Sequence, residues 1–204
     1  MRLILVRHGE TYWNKQRRVQ GGASDVELNE VGLQQATKLV GLLKDESIDA
    51  VISSPLKRAL VTAQIIGKQH QLPIQIHNGL KEINVGELEG LALSTLSTNF
   101  SQLLMQWWQG GSERLPGGES FVEFQERCWG AVEPLLAKYR NGTAAIISHY
   151  FVILAIIFKA LDLPLKYLPK FRVDLGGVSI LEFEEYGARL LRFNDTSYLS
   201  LVAG

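Results

Sequence analysis

The sequence predicts an α/β protein: a three-layer α/β/α sandwich around a mostly parallel, mixed sheet. Three observations predict it. Short apolar runs alternate with helical patterns, the order of a sheet covered by helices on both faces. Two of those runs, Arg2 to Val6 and Thr143 to Ile147, are continuous and rich in β-branched residues, as in strands buried on both faces. Near the end, Val178 to Phe183 and Arg189 to Phe193 are split by Glu185-Tyr186-Gly187. They read as an antiparallel hairpin, which makes the sheet mixed.

The elements follow in order. After the first strand comes a polar loop, Tyr12 to Leu28, with Gly21-Gly22 inside it. Asn29 can cap a helix running to about Lys44, with Ala36, Leu39, Val40 and Leu43 as its buried stripe. Ile48 to Ile52 is a second strand. Ser53-Ser54-Pro55 reads as a cap followed by proline at the first helical position, opening a helix that buries Ala59, Thr62, Ala63 and Ile66. Pro73 opens a third strand, Ile74 to Ile76, which is also a candidate sheet edge for a homodimer. Leu80 to Gly90 is a loop of alternating acidic and glycine residues, and Leu91 to Trp108 reads as a short helix pair. Gly110-Gly111 and Pro116-Gly117-Gly118 are breaks. Ser120-Phe121-Val122-Glu123 has the pattern of a capping box. The helix it opens buries Phe121, Phe124, Cys128, Ala131, Val132, Leu135 and Leu136, and Pro134 is expected to kink it. The Thr143 strand leads into the apolar helix Tyr150 to Phe158.

The chain has 204 residues, 46% hydrophobic and 21% charged, with Lys plus Arg and Asp plus Glu both 21. These are ordinary values for a globular protein, and the zero net charge gives no footprint for nucleic acid or an anionic membrane. The single cysteine, Cys128, rules out an internal disulfide and reads as a buried thiol in a reducing compartment. Leu3 to Val6 is too short for a signal peptide, and Tyr150 to Phe158 falls far short of a span of roughly 20 residues. A cytoplasmic protein is expected. Without repeat, low-complexity tract or linker, residues 1–204 read as one domain.

The chemistry gathers at the strand ends. The first strand runs into Arg7-His8-Gly9-Glu10-Thr11 and the fourth into Ser148-His149. Carboxyl ends of parallel strands share the edge where open α/β sheets bind ligands. Arginine offers a planar fork of donors suited to phosphate, and glycine lets a ligand come close. Arg58, in the first turn of the second helix, belongs to the same edge, near the positive end of a helix dipole. Its neighbour Lys57 must point elsewhere. Read alone, each of these residues has a bland alternative: a structural histidine, a solvated arginine.

Together they resemble the histidine phosphatase superfamily, the phosphoglycerate mutase-like proteins. Leu5-Val6-Arg7-His8-Gly9-Glu10-Thr11 is similar to the family signature, and Asn14, Gln20-Gly21 and Asp25 to its following loop. Leu28 to Ala36 is similar to its first helix, and Ser53-Ser54-Pro55-Leu56-Lys57-Arg58-Ala59 to its second block. Leu80-Lys81-Glu82-Ile83, Gly86 to Gly90, Pro116 to Ser120 and Ser148-His149 complete the likeness, which runs from Met1 to about Asn194.

The resemblance implies a phosphohistidine mechanism. His8 would attack phosphorus. Arg7, Arg58 and His149 would hold the phosphoryl oxygens. Glu82, favoured over Glu87 and Glu89 by its place before Ile83, would protonate the leaving oxygen and then activate water. Asn14, Gln20 and Gly21 would contact the phosphate or the substrate beside it. No metal or other cofactor is implied, and no His/Cys/Asp spacing suggests zinc. Lys15, Arg17 and Arg18 form a small basic patch nearby, while His70 and His77 read as exposed bystanders. One departure stands out: the family usually has glycine after the second histidine, and here it is Tyr150. Tyr150 is therefore expected to narrow the pocket and shape substrate choice.

The implied partner is a small phosphorylated metabolite. Mutases of the family carry a longer insert after the acidic loop and a longer tail than this chain, which favours hydrolysis over phosphoglycerate mutation. Trp107 and Trp108 fall in the segment that would roof the site. The reading preferred for both is cover for the core; stacked on substrate instead, they would suit a flat leaving group such as that of α-ribazole phosphate, with phosphoserine, phosphoglycerate and sugar phosphates also open. A non-catalytic phosphoester-binding module is the alternative of a different class.

Overall fold

Alternation along β1 (Arg2–Arg7) places the sheet between two cores. Leu3 and Leu5 enter one core, and Ile4 and Val6 enter the other, all four fully buried. The computed structural model describes residues 1–99, 101–110 and 113–200. Its sheet has six strands in the order β3-β2-β4-β1-β5-β6. β2 (Ala50–Ser53), β3 (Ile74–Ile76) and β4 (Thr143–Ser148) run parallel to β1. β5 (Val178–Glu184) and β6 (Gly187–Asp195) add the antiparallel hairpin. The sheet is mixed and helices cover both faces, as predicted.

One face is covered by α2 (Glu30–Leu43) and α3 (Lys57–His70), whose Ala36, Leu39, Leu43, Ala59, Ala63 and Ile66 meet Ile4, Val6, Ala145 and Ile147. The other face takes α6 (Phe121–Lys138) and α7 (Tyr150–Ala160). Every residue of α7 from Val152 to Phe158 is buried, which suits a helix apolar all round. α4 (Leu93–Asn99) and α5 (Ser101–Gly110) form the expected helix pair. Gly111 and the Trp108 side chain lie outside the described residues.

Several local expectations shift. Within the polar loop a short helix, α1 (Tyr12–Lys15), forms because Thr11 and Asn14 make a reciprocal capping box. The second strand begins at Ala50 rather than Ile48, since Ile48 sits in the preceding turn. α3 begins at Lys57 with Leu56 as its N-cap, not at Pro55; the Ser54 hydroxyl accepts from Leu56 N at 3.3 Å and from His149. Helix α6 passes through Pro134 to Lys138, with Pro134 on the exposed face where its missing N–H leaves only a solvent-side gap. Leu136 and Val40 are half-buried. The acidic loop contains two 3-10 turns, at Asn78–Leu80 and Gly86–Leu88. His77 is exposed and accepts from Gly79 N, whereas His70 is half-buried. The Cys128 thiol is buried among α6 and α7 residues, and burial pushes its pKa up.

Candidate active site

The register of the central strands brings the two histidines together. Arg7 pairs with Ser148 across parallel β1 and β4. His8 and His149 follow directly, and their rings meet edge to face with centroids 5.2 Å apart. The His8 backbone N–H donates to Ser148 O at 3.0 Å, which extends the ladder into the site.

The His8 ring has a defined tautomer. Its Nδ1 lies 2.7 Å from Gly9 O. A carbonyl can only accept, so Nδ1 carries the proton and Nε2 keeps its lone pair. Burial, then Arg58 and Arg7, holds the His8 pKa well below the ordinary value of 6.5, so the ring is neutral. Close backbone packing fixes the following loop. A Cβ on Gly9 would lie 2.4 Å from Gly32 O, so only glycine fits where the loop crosses the start of α2.

His149 has the opposite tautomer. The Arg58 Nε donates to its Nδ1 at 3.2 Å, so Nε2 carries the proton and donates to Ser54 Oγ at 2.7 Å. Burial and then Arg58 lower the His149 pKa far below the usual range. Arg58 is fully buried, and burial brings its pKa down to about 10. Its other donors go to Ser24 O at 2.7 Å and Gly21 O at 3.0 Å. The loop is held from the other side by Glu89, which accepts from Gly21 N at 2.8 Å and from Ser24 Oγ. Lys57 points away and pairs with Glu27 at the surface.

Arg7 is held at one end only. Its Nη1 donates to Val173 O at 2.6 Å, while its buried Nε has no partner among the described residues. The guanidinium lies over the Tyr150 ring, 5.2 Å from the centroid. Tyr150 in turn donates its hydroxyl to Phe171 O at 2.9 Å. Glu82 is 5% exposed. Its carboxyl accepts from Ile83 N at 2.9 Å and from Phe151 N, in the first turn of α7, at 3.2 Å. Burial raises its pKa above the usual carboxyl value, and the two N–H groups, Arg58 and Arg7 oppose the rise.

A cavity of about 780 Å³ opens over this cluster. Arg7, His8, Asn14, Gln20, Glu82 and Tyr150 line it. Gly21, Arg58 and His149 do not; they stand behind His8 and carry its surroundings. Thr11 links Asn14 and Gln20, its hydroxyl lying 2.9 and 2.8 Å from their side-chain oxygens, with its one proton donated to either. Glu87 is exposed and Glu89 is committed to the loop, so of the three acidic candidates Glu82 reaches the cavity. Trp107 is buried and lines the cavity roof; Arg18 lines it too, while Lys15 and Arg17 face solvent. Sequence reasoning missed Ser54 as the partner of His149 and Glu89 as the loop anchor. Ser54 was visible only as a helix-cap residue beside proline. Among the described residues, no group of three or more His, Cys, Asp or Glu side chains is placed to hold a metal ion, and no helix is long and apolar enough to cross a membrane.

Fold and site together define a class: an α/β enzyme with paired histidines at the carboxyl edge of its central strands. The chain belongs to the histidine phosphatase superfamily (branch 1), whose family model matches residues 3–196. It is 35% identical over 200 residues to a bifunctional protein of Mycobacterium tuberculosis, covering 97% of this chain and 55% of that protein. The chain thus spans about half the length of those curated relatives. It is 31% identical over 209 residues to a Yersinia pestis protein named "Probable phosphoglycerate mutase GpmB", covering 100% of this chain and 97% of that one. Among solved structures, the phosphoserine phosphatase of Entamoeba histolytica in complex with 3-phosphoglyceric acid superposes with a TM-score of 0.87 at 30% identity, over 97% of this chain and 98% of the other. The α-ribazole phosphatase of Shigella flexneri superposes with a TM-score of 0.83 at 31% identity, over 96% of both chains.

Proposed function

We propose that the chain, acting as one domain, hydrolyses a small phosphomonoester through a phosphohistidine. The observation that carries this reading is the His8 tautomer. With Nδ1–H held by Gly9 O, the neutral Nε2 is free to attack. In the first step Nε2 bonds to phosphorus, and the P–O bond to the alcohol breaks. Glu82, whose pKa burial raises, delivers a proton to the departing oxygen. In the second step Glu82 takes a proton from water, whose oxygen displaces His8 and releases inorganic phosphate.

Arg7 supplies the direct contact to the phosphoryl oxygens, its unpartnered Nε being satisfied by one of them. Arg58 adds its positive charge from behind His8, where burial and then Arg58 keep His8 neutral, and the neutral His149 packs against the His8 ring. Asn14 and Gln20 orient the ester from the loop, and Tyr150 borders the leaving group. The names of the neighbouring phosphatases support the same reaction class. The test is phosphate release in EDTA from a panel of phosphomonoesters, with His8→Ala as control. Release that survives in the variant would refute the reading.

A second reading, phosphoglycerate mutation, is favoured by the near full-length likeness to the Yersinia pestis protein of that name. Isomer exchange between phosphoglycerates without phosphate release would select it.

A further inference from the structure

We infer that the leaving group of this site is a bulky apolar alcohol that carries no second charge. The inference rests on the phosphatase reading and narrows it, away from the amino acid and glycerate esters that some neighbours are named for.

Size comes first. A cavity of about 780 Å³ holds far more than a phosphate and lies in the ordinary range for a drug-sized ligand. Arg7, His8, Asn14, Arg18, Gln20 and Glu82 supply its charged and amide lining. The rest is walled by apolar side chains, Val85, Leu88, Leu96, Leu115, Trp107 and Phe151 among them. These walls are firm. The Trp107 ring stands edge-on to Phe121 and Phe151, with centroids 5.3 and 5.6 Å apart, and Leu88 and Leu115 are almost fully buried. Farther out, Leu93 and Met105 also line the cavity, yet are 43% and 54% exposed. Large apolar groups left in water beside a cavity mark a surface that an apolar ligand covers.

Charge points the same way. Apart from Arg7 and His8, Arg18 is the sole basic side chain in the described lining. Arg18 is exposed, donates its Nε to Gly90 O at 2.8 Å and lies over Trp13, 4.8 Å from the ring centroid. A carboxylate or second phosphate on the leaving group would lose its water against apolar walls, with only Arg18, exposed and held through Nε and the Trp13 ring, to receive it. An aromatic or branched hydrocarbon would lose nothing and cover the walls.

The experiment compares primary alkyl esters, so that leaving-group chemistry is matched: 2-(1-naphthyl)ethyl phosphate, ethyl phosphate, phosphoserine and 3-phosphoglycerate, each against His8→Ala. The expected result is a kcat/KM for the naphthyl ester at least about tenfold above the other three, carried by KM; a few methylenes of apolar contact are worth that much. Met105→Lys, at a half-exposed position that tolerates lysine, should cut the ratio of naphthyl ester to phosphoserine about tenfold. Turnover of phosphoserine or 3-phosphoglycerate equal to that of the naphthyl ester, or a ratio unmoved by Met105→Lys, overturns the inference and leaves the phosphatase reading standing. No turnover of any ester above the His8→Ala background removes the phosphatase reading and the inference with it.

Discussion

His8 and His149 touch edge to face at 5.2 Å because Arg7 and Ser148 are cross-strand partners. The contact is therefore a property of sheet register. A one-residue slip between β1 and β4 would exchange the two cores and send the histidines to different levels. The loops need not find each other; the strands have already placed them. The two rings also hold opposite tautomers, each dictated by a partner that can act in only one sense, the Gly9 carbonyl and the Arg58 guanidinium.

Loss of the proposed nucleophile is the sharpest test of chemistry. His8→Ala is expected to lower turnover of any phosphomonoester by more than about 10³-fold, since removing the attacking atom disables the whole set. Mass spectrometry that preserves P–N bonds should show a phosphorylated wild-type chain and none in the variant. Equal labelling of both would place the phosphoryl group elsewhere.

The proposed general acid gives a pH signature. The proposed mechanism needs His8 neutral and Glu82 protonated. The His8 pKa lies well below 6.5 and the Glu82 pKa above 4.5. Activity should fall toward acid as His8 gains a proton, and toward alkali as Glu82 loses one, so the kcat/KM optimum is acid-shifted. Glu82→Gln should cost about 10² to 10⁴ in kcat on alkyl esters, less on activated aryl esters, and should erase the alkaline limb. A limb that persists in Glu82→Gln would assign it to another group.

Tyr150 is the position where the chain departs from the family pattern, and the structure gives it two contacts. Its ring carries the Arg7 guanidinium and its hydroxyl is pinned to Phe171 O. Tyr150→Phe removes one hydrogen bond, about 1 kcal/mol of stability, and should leave turnover close to wild type. Tyr150→Gly also removes the cation–π contact, about 0.5–2 kcal/mol, and frees Arg7. Its KM should rise severalfold and its substrate ranking should change. An unchanged ranking would show that Tyr150 holds Arg7 without shaping specificity.

Much of this was legible in the sequence because strand ends are legible. β-branched runs that stop at His8 and His149, a glycine beside the first, and an arginine one turn into α3 name the cluster before any coordinates. What was not legible depends on side-chain direction. Ser54 next to Pro55 looks like a helix cap in sequence, yet its hydroxyl turns to His149 and α3 starts two residues later than expected. Likewise only the family resemblance prefers Glu82 over Glu87 and Glu89 in the sequence. Only the packing of the acidic loop against Gly21, Phe151 and Pro116 sends one to the cavity, one to the surface and one to the Gly21–Ser24 loop. The apolar character of the walls was hidden for the same reason, since Val85, Leu88, Leu96 and Leu115 come from separate stretches.

Gly32 tests the backbone crossing under the site. A Cβ there would lie 2.1 Å from Glu10 O, and the obstacle is backbone on both sides. No rotamer relieves such a clash, so Gly32→Ala should destabilise the fold by about 3 kcal/mol or more, at the upper end for single substitutions. Gly41, on the same helix, meets nothing within 4 Å. Gly41→Ala should instead stabilise by roughly 0.5–1 kcal/mol through helix propensity. Denaturant midpoints of the two variants should therefore move in opposite directions, and a shared direction would contradict the crossing.

The two buried histidines also make stability depend on pH. Burial first, and then Arg58, lowers the pKa of each well below 6.5. The unfolded chain binds protons on both near pH 6.5, and the folded chain binds none until much lower pH. In that window the unfolded state holds more protons, so folding stability rises with pH and is lost as pH falls below about 6.5. Each fully shifted histidine contributes a slope of up to about 1.4 kcal/mol per pH unit. Glu82 acts in the opposite sense. Its raised pKa means that its contribution is present below 4.5 and is lost as pH rises through the folded value. It therefore offsets part of the histidine slope at the lower end of the window. His8→Asn keeps an N–H donor for Gly9 O and removes one titration. Thermal unfolding followed across the acid range should show a steep decline for wild type and roughly half that slope for His8→Asn. Equal slopes would mean that His8 takes up its proton at the same pH folded and unfolded, contrary to the burial that lowers its pKa and keeps the Nε2 lone pair into the acid range.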